Sequence, residues 1–172
     1  IEAELIVERN EEWIGKKAHP AFIGCDKCCK YLKTEALLNA LKKHEFDAAF
    51  GGARREEEKS RAKERVFSVR DEFGQWDPKN QRPEPWELYN SHINENESVR
   101  VFPLSNWTEI DIWEYIKREA IPVNTLYFAK EGKRFRSIGC ETCCGPVDSE
   151  ADTIDKIIEE LKTSKISERS GR

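Results

Sequence analysis

Six cysteines occupy only two places in this chain, Cys25-Asp-Lys-Cys28-Cys29 and Cys140-Glu-Thr-Cys143-Cys144. A CxxC spacing lets two thiolates from one tight turn reach the same soft metal, so a four-thiolate site draws one pair from each cluster and ties two distant segments together. Three readings compete: buried free thiols or a disulfide, a zinc ion on Cys25, Cys28, Cys140 and Cys143, or an iron–sulfur cluster. The spacing by itself suits zinc. The adjacent Cys28-Cys29 offers a geometry that zinc sites seldom use. The residues alone leave the metal open.

Which compartment holds these thiols bears on the choice. No charged segment followed by an apolar one marks the chain for secretion, so the expected location is the cytoplasm, where cysteines serve as ligands or nucleophiles more often than as disulfides. The chain has 172 residues, enough for a single domain with one core. It contains no methionine and opens on Ile1 in what reads as mid-strand, so we expect a domain whose N-terminal part is missing from this chain. With 36 % charged residues and a mean hydropathy of -0.77, it is expected to be soluble. A net charge of -4 argues against general nucleic-acid affinity. Basic residues are concentrated only between Arg54 and Arg70.

The pattern of apolar residues predicts alternating helices and strands. Glu4 to Val7 reads as a short buried strand and Asn10 to Gly24 as a loop. Leu37, Leu38 and Leu41 give a helical period over Tyr31 to Leu41, followed by a strand from Phe46 to Phe50 that ends at Gly51-Gly52. A strand, a glycine turn and a polar helix in that order suit a phosphate-handling site. The three prolines between Gln75 and Pro85 predict a long irregular segment, and Val99 to Phe102 another strand. Thr108 is placed to cap a helix with Ile110, Ile112, Trp113, Tyr115 and Ile116 on its apolar face, and a last helix starts at Ser149 or Asp152. His19, His44 and His92 fall in no catalytic pattern and read as surface or capping residues.

Just after the glycine turn come Arg54, Arg55, Lys59, Arg61, Lys63 and Arg65. Guanidinium forks and backbone N–H groups there suit a polyanion, whereas the plain alternative is a solvated helix face laced with Glu-to-Lys/Arg pairs. Longer stretches add to this: FDAAFGGARREEEKSRAKER from Phe46, RDEFGQWDPKNQRPEPWELYN from Arg70, VRVFPLSNWTEIDIWEYI from Val99, LYFAK from Leu126 and SEADTIDKIIEELKTSKISERSGR from Ser149. In these the chain resembles the small catalytic subunits of bacterial heterodimeric sulfate adenylyltransferases, PP-loop proteins related to the adenylyl-sulfate reductases.

The resemblance implies an α/β fold with a parallel sheet and flanking helices, forming one catalytic domain over 1–172. Within it, 70–98 would be a long surface loop facing a partner, and 140–172 the cysteine turn and C-terminal helix. It implies adenylyl transfer from ATP to sulfate, Mg²⁺ on the phosphates, and a GTPase large subunit as partner. Gly51, Gly52, Lys59 and Arg61 would line the anion side of the pocket, with Arg54 and Arg55 holding sulfate or the developing charge. The family's SGGKDS-type phosphate loop is not in these residues, and the segment between Lys130 and Arg134 is short for the family. Cys28-Cys29 and Cys140-x-x-Cys143 resemble the set with which iron–sulfur adenylyl-sulfate reductases hold a [4Fe–4S] cluster, which turns the choice from zinc to iron and leaves Cys25 and Cys144 without a role. The alternatives are a reductase of adenylyl sulfate or its 3′-phosphorylated form, which needs a nucleophilic thiolate, a sulfur-transfer enzyme acting on nucleic acid, and an inert scaffold clamped by metal.

Overall fold

The computed structural model describes residues 3–169. Its helices are α1 (Glu11–Gly15), α2 (Pro20–Ile23), α3 (Cys25–Cys29), α4 (Glu35–Lys43), α5 (Glu109–Arg118) and α6 (Ile154–Thr163). Its strands are β1 (Ala48–Phe50), β2 (Phe67–Arg70), β3 (Ser98–Val101), β4 (Lys133–Arg134) and β5 (Val147–Asp148). The mixture is α/β, as the sequence pattern implies.

One sheet has the order β1-β3-β2. β1 and β3 are parallel, since Val99 N donates to Asp47 O (3.2 Å) and Gly51 N to Val101 O (2.9 Å) in ascending register. β2 runs antiparallel beside β3, because Phe102 N, just past the end of β3, donates to Val66 O, just before the start of β2 (2.8 Å). Burial alternates along both β2 and β3, so each strand presents every second residue to the interior. β4 and β5 form a separate antiparallel pair, with Lys133 opposite Asp148 and Arg134 opposite Val147.

By their contacts the residues form two compact units. The first comprises 3–49, 69–76 and 92–99. There the ring of Trp13 stacks on that of Tyr31 at 3.7 Å between centroids, and the Asn10 amide donates to Tyr31 O (3.1 Å) and to Glu35 (3.0 Å). Lys30–Thr34 is a single π-helical turn leading into α4. Gly74 has φ +74, and a Cβ on it would lie 2.5 Å from Leu38 Cδ2, so the turn after β2 favours glycine, any side chain there being strained and having to displace the Leu38 methyl.

The second unit comprises 50–68, 77–91 and 100–169. Its core is Trp113, Ala151, Ile157, Ile158 and Leu161, with Ile110, Ile116 and Tyr127 packed against it. The core exists because α5 and α6 repeat apolar residues at helical spacing; burying a side chain such as Ile157, fully enclosed here, is worth about 1.5–3 kcal/mol. Thr108 caps α5 through a capping box: its hydroxyl accepts from Asp111 N (3.1 Å) while the Asp111 carboxylate accepts from Thr108 N (2.7 Å). The segment 77–91 is irregular apart from a 3-10 turn at Pro85–Glu87. Two charged side chains pin it: Arg65 donates to the carbonyls of Pro78, Gln81 and Arg82, and Glu84 accepts from Val66 N and Phe67 N at the start of β2.

Several expectations are corrected. Residues 4–7 form no strand, and Leu5 and Val7 are 85 % and 64 % exposed; an apolar run becomes a strand only where a ladder partner exists, which four residues do not reveal. The expected loop at 10–24 contains α1 and α2, each signalled by a cap rather than a period: the Asn10 side chain accepts from Trp13 N, and His19 Nδ1 accepts from Ala21 N ahead of Pro20. α6 is capped by Thr153, not by Ser149 or Asp152, because Ser149 is bonded to Arg134 and Glu160 and Asp152 pairs with Lys156. The polar helix expected after Gly52 is also absent: residues 53–66 are turns with one 3-10 turn, Lys59–Arg61.

Candidate active site

The parallel pair β1/β3 ends at Phe50 and Val101, and the chain leaving each strand builds the same place. Pockets in α/β proteins form at the carboxyl ends of such strands. Gly51 leaves β1 against the ring of Phe102, where a Cβ would lie 3.0 Å from Phe102 Cε1, so this close approach excludes any larger residue without movement of the ring. Arg54 follows, its side chain only 6 % exposed. The helix expected directly after the glycine turn is absent, and the helix start found here is that of α5, whose Glu109 N donates to the Glu56 carboxylate (2.6 Å).

Beside this turn lies a cavity of about 500 Å³ with two dissimilar walls. One is apolar, with Leu104, Ile112, Trp113, Ile116 and Val123; the other is charged, with Arg54, Arg136, Glu57, Glu109 and Glu168. The charged wall carries three carboxylates against two guanidiniums, and both guanidiniums are paired, Arg54 with Glu168 and Arg136 with Glu109. Arg136 is held hard: its Nε donates to both Glu109 oxygens (3.0 and 3.1 Å), its Nη2 to Glu109 Oε2 (2.7 Å), and its Nη1 to Ser164 Oγ and Ile166 O. Burial works to lower the Arg136 pKa, but the hydrogen bonds and charge of Glu109, with Glu168 and Glu160 further off, leave it above its ordinary value. Arg54 donates to Glu168 and lies 3.5 Å from Glu56. Burial pushes the Glu168 carboxyl above the usual range in spite of Arg54, and the carboxylates of Glu109 and Glu57 push the same way.

The residues singled out in the sequence are thus distributed unevenly. Gly52 and Arg54 line the cavity. Arg55 is turned to Glu64 O (3.0 Å) and Asn106, Arg61 lies near Glu58 and Glu64, and Lys59 is exposed. Arg136, Glu109 and Glu168 were missed. Glu109 and Glu168 stand in charged segments where one carboxylate looks like the next, and only the pairing of Arg136 with a helix N-terminal residue distinguishes it.

Among the six cysteines Cys28 is buried, Cys25 is exposed and the others are half-buried. Cys25, Cys28 and Cys29 lie in α3, with Cys28 buried; i, i+3 and i, i+4 spacing puts Cys25 on the face of both others. Cys140 to Cys144 form a turn in which Cys143 N and Cys144 N both donate to Cys140 O (3.0 Å each). Each half has the thiolate chemistry a soft metal accepts. Among the described residues, no group of three or more Cys, His, Asp or Glu side chains is arranged to hold an ion, so the four-thiolate set is carried by donor chemistry alone. No helix among them is long and apolar enough to cross a membrane.

A glycine turn and a buried arginine at the carboxyl ends of parallel strands, beside a cavity with one apolar and one charged wall, describe an α/β protein with its candidate site at the strand ends. The chain belongs to the phosphoadenosine phosphosulfate reductase domain family, whose sequence model matches residues 2–146. Among curated proteins it is 51 % identical to sulfate adenylyltransferase subunit 2 of Parabacteroides distasonis over 197 aligned positions, covering 98 % of this chain and 65 % of the relative. The subunit 2 of Bacteroides fragilis is also 51 % identical, and that of Saccharophagus degradans 50 %, with the same coverage. The chain therefore spans just under two thirds of the length of these relatives.

Proposed function

We propose that this chain carries catalytic residues of a sulfate adenylyltransferase small subunit, transferring AMP from ATP to sulfate. The observation that carries the reading is the 51 % identity to a subunit of that name across 98 % of the chain, which includes the whole turn from Gly51 to Arg55. A sulfate oxygen attacks the α-phosphorus of ATP, the bond to the bridging oxygen breaks, and pyrophosphate leaves with the electron pair. No proton or redox equivalent is needed from the protein, so catalysis rests on positioning and charge. Arg54 faces the anion and meets the charge that builds up, with Arg55 beside it orienting the turn. Gly51 and Gly52 let the backbone approach the ligand, and Lys59 and Arg61 draw anions to the rim. ATP enters as its Mg²⁺ complex, and a GTPase large subunit is the partner. The test is product formation with that subunit present: Arg54→Ala and Arg55→Ala both at the wild-type rate would remove the assignment, and sulfite as product would turn it to the reductase alternative.

A [4Fe–4S] cluster on Cys28, Cys29, Cys140 and Cys143 belongs to the same proposal. It would tie two distant segments and contribute to folding rather than to the transfer step. Anaerobically purified protein is then brown, with about four irons and four sulfides per chain. One zinc per colourless chain would favour Cys25, Cys28, Cys140 and Cys143 instead, and metal-free protein would remove both.

A further inference from the structure

The segment that follows α6 returns to the glycine turn and is held there almost wholly by charge. Arg136 donates to Ser164 Oγ (3.2 Å) and Ile166 O (2.6 Å), Arg54 donates to Glu168, and Arg169 pairs with Glu58 and lies 3.9 Å from Glu57. The one apolar residue of 164–169, Ile166, is 60 % exposed, so packing contributes little to the attachment. Yet the carboxylate at its tip reaches a guanidinium that is itself only 6 % exposed and lines the cavity, from 114 residues away in sequence.

A carboxylate and a tetrahedral oxyanion offer a guanidinium the same thing, two oxygens with shared negative charge. We infer that Glu168 is a tethered occupant of the oxyanion seat on Arg54, and that a tetrahedral dianion such as sulfate binds by displacing it. This rests on the reading of Arg54 given above. Burial and two further carboxylates work against the charge of Glu168, so little is lost when it leaves; they act on an incoming dianion as well, which must offset them through its additional oxygens. Of the two acids left behind, Glu109 is matched by Arg136 at 2.7 Å. The tether also gives selectivity: a monoanion such as chloride gains less from Arg54 than Glu168 loses by leaving, whereas a dianion bearing three or four oxygens can replace the ion pair and bond further donors.

The experiment is calorimetric titration of the full chain with sodium sulfate at constant ionic strength set by sodium chloride. Wild type, Glu168→Gln, Glu168→Ala and Arg54→Ala are compared. Removing a competing charge-assisted hydrogen bond is expected to tighten sulfate binding by about ten- to a hundredfold in both Glu168 variants, and Arg54→Ala to abolish it. Binding seen only in the Glu168 variants supports the inference equally. If Arg54→Ala loses binding while both Glu168 variants bind as wild type or more weakly, the inference fails and the reading of Arg54 stands. If Arg54→Ala binds as wild type, that reading fails first. The isosteric glutamine keeps the result interpretable should alanine disturb the fold.

Discussion

Two arginine–carboxylate pairs in the second unit, Arg134 with Glu160 and Arg54 with Glu168, look alike in sequence and differ in what surrounds the acid. Glu160 is met by Arg134 Nη2 at 2.6 Å and by the Ser149 hydroxyl, while Arg134 Nε also donates to Ser149 (3.2 Å). Burial by itself would raise the Glu160 carboxyl, but the Ser149 and Arg134 hydrogen bonds and the arginine charge bring it below the usual range. Around Glu168 the neighbours are further acids, and its carboxyl goes the other way. Glu160 and Glu168 each line a cavity, but the first pair is a clamp closing β4 and β5 onto α6 and the second an ion pair its surroundings oppose. A buried pair supports the fold only when the remaining lone pairs of the acid find donors.

The largest effect that separates them is on stability. Arg134→Ala leaves Glu160 without its cation and is expected to cost about 3–5 kcal/mol, read by chemical unfolding. Arg54→Ala is expected to leave the melting temperature nearer to wild type, because Glu168 can take up a proton, and to slow adenylyl transfer by roughly tenfold to a hundredfold, the worth of a charge-assisted contact of about 1.5–3 kcal/mol. If the two variants unfold equally easily, the distinction between clamp and site is wrong. A variant outside both pairs sets the scale: Thr108→Ala removes the cap of α5 at a cost of about 1 kcal/mol and leaves turnover unchanged, so a loss of turnover at unchanged melting temperature would give α5 a part in the chemistry.

The smallest effect is on pH dependence, and its sign differs between the pairs. The lowered Glu160 contributes stability at neutral pH that is lost as pH falls through its folded value. The raised Glu168 holds its proton more tightly folded than unfolded, so its contribution is present in acid and is lost as pH rises from 4.5 through its folded value. Melting temperatures between pH 3 and 7 are therefore expected to fall less on acidification in Glu160→Gln than in wild type, and more steeply in Glu168→Gln. The same change in both variants would mean that the two acids share one environment.

The sequence by itself settled what depends on neighbours in the chain. The α4, α5 and α6 helices followed from periods of three and four, the Thr108 cap from its place before Ile110, and the end of β1 from Gly51-Gly52, because these signals act over one or two turns. The same strip of charge that pointed to Arg54 could not show that Arg65 is engaged by backbone carbonyls, that Arg55 is turned to Asn106, or that Arg136 belongs beside Arg54. Every guanidinium has the same chemistry, and its role is set by which carboxylates and carbonyls the fold brings within about 3 Å of it. Only the tertiary structure decided that Glu160 would be met by a hydroxyl and an arginine and Glu168 by an arginine among acids, since burial and partners reached across the chain fix a carboxylate's charge state and no window of neighbouring residues contains them.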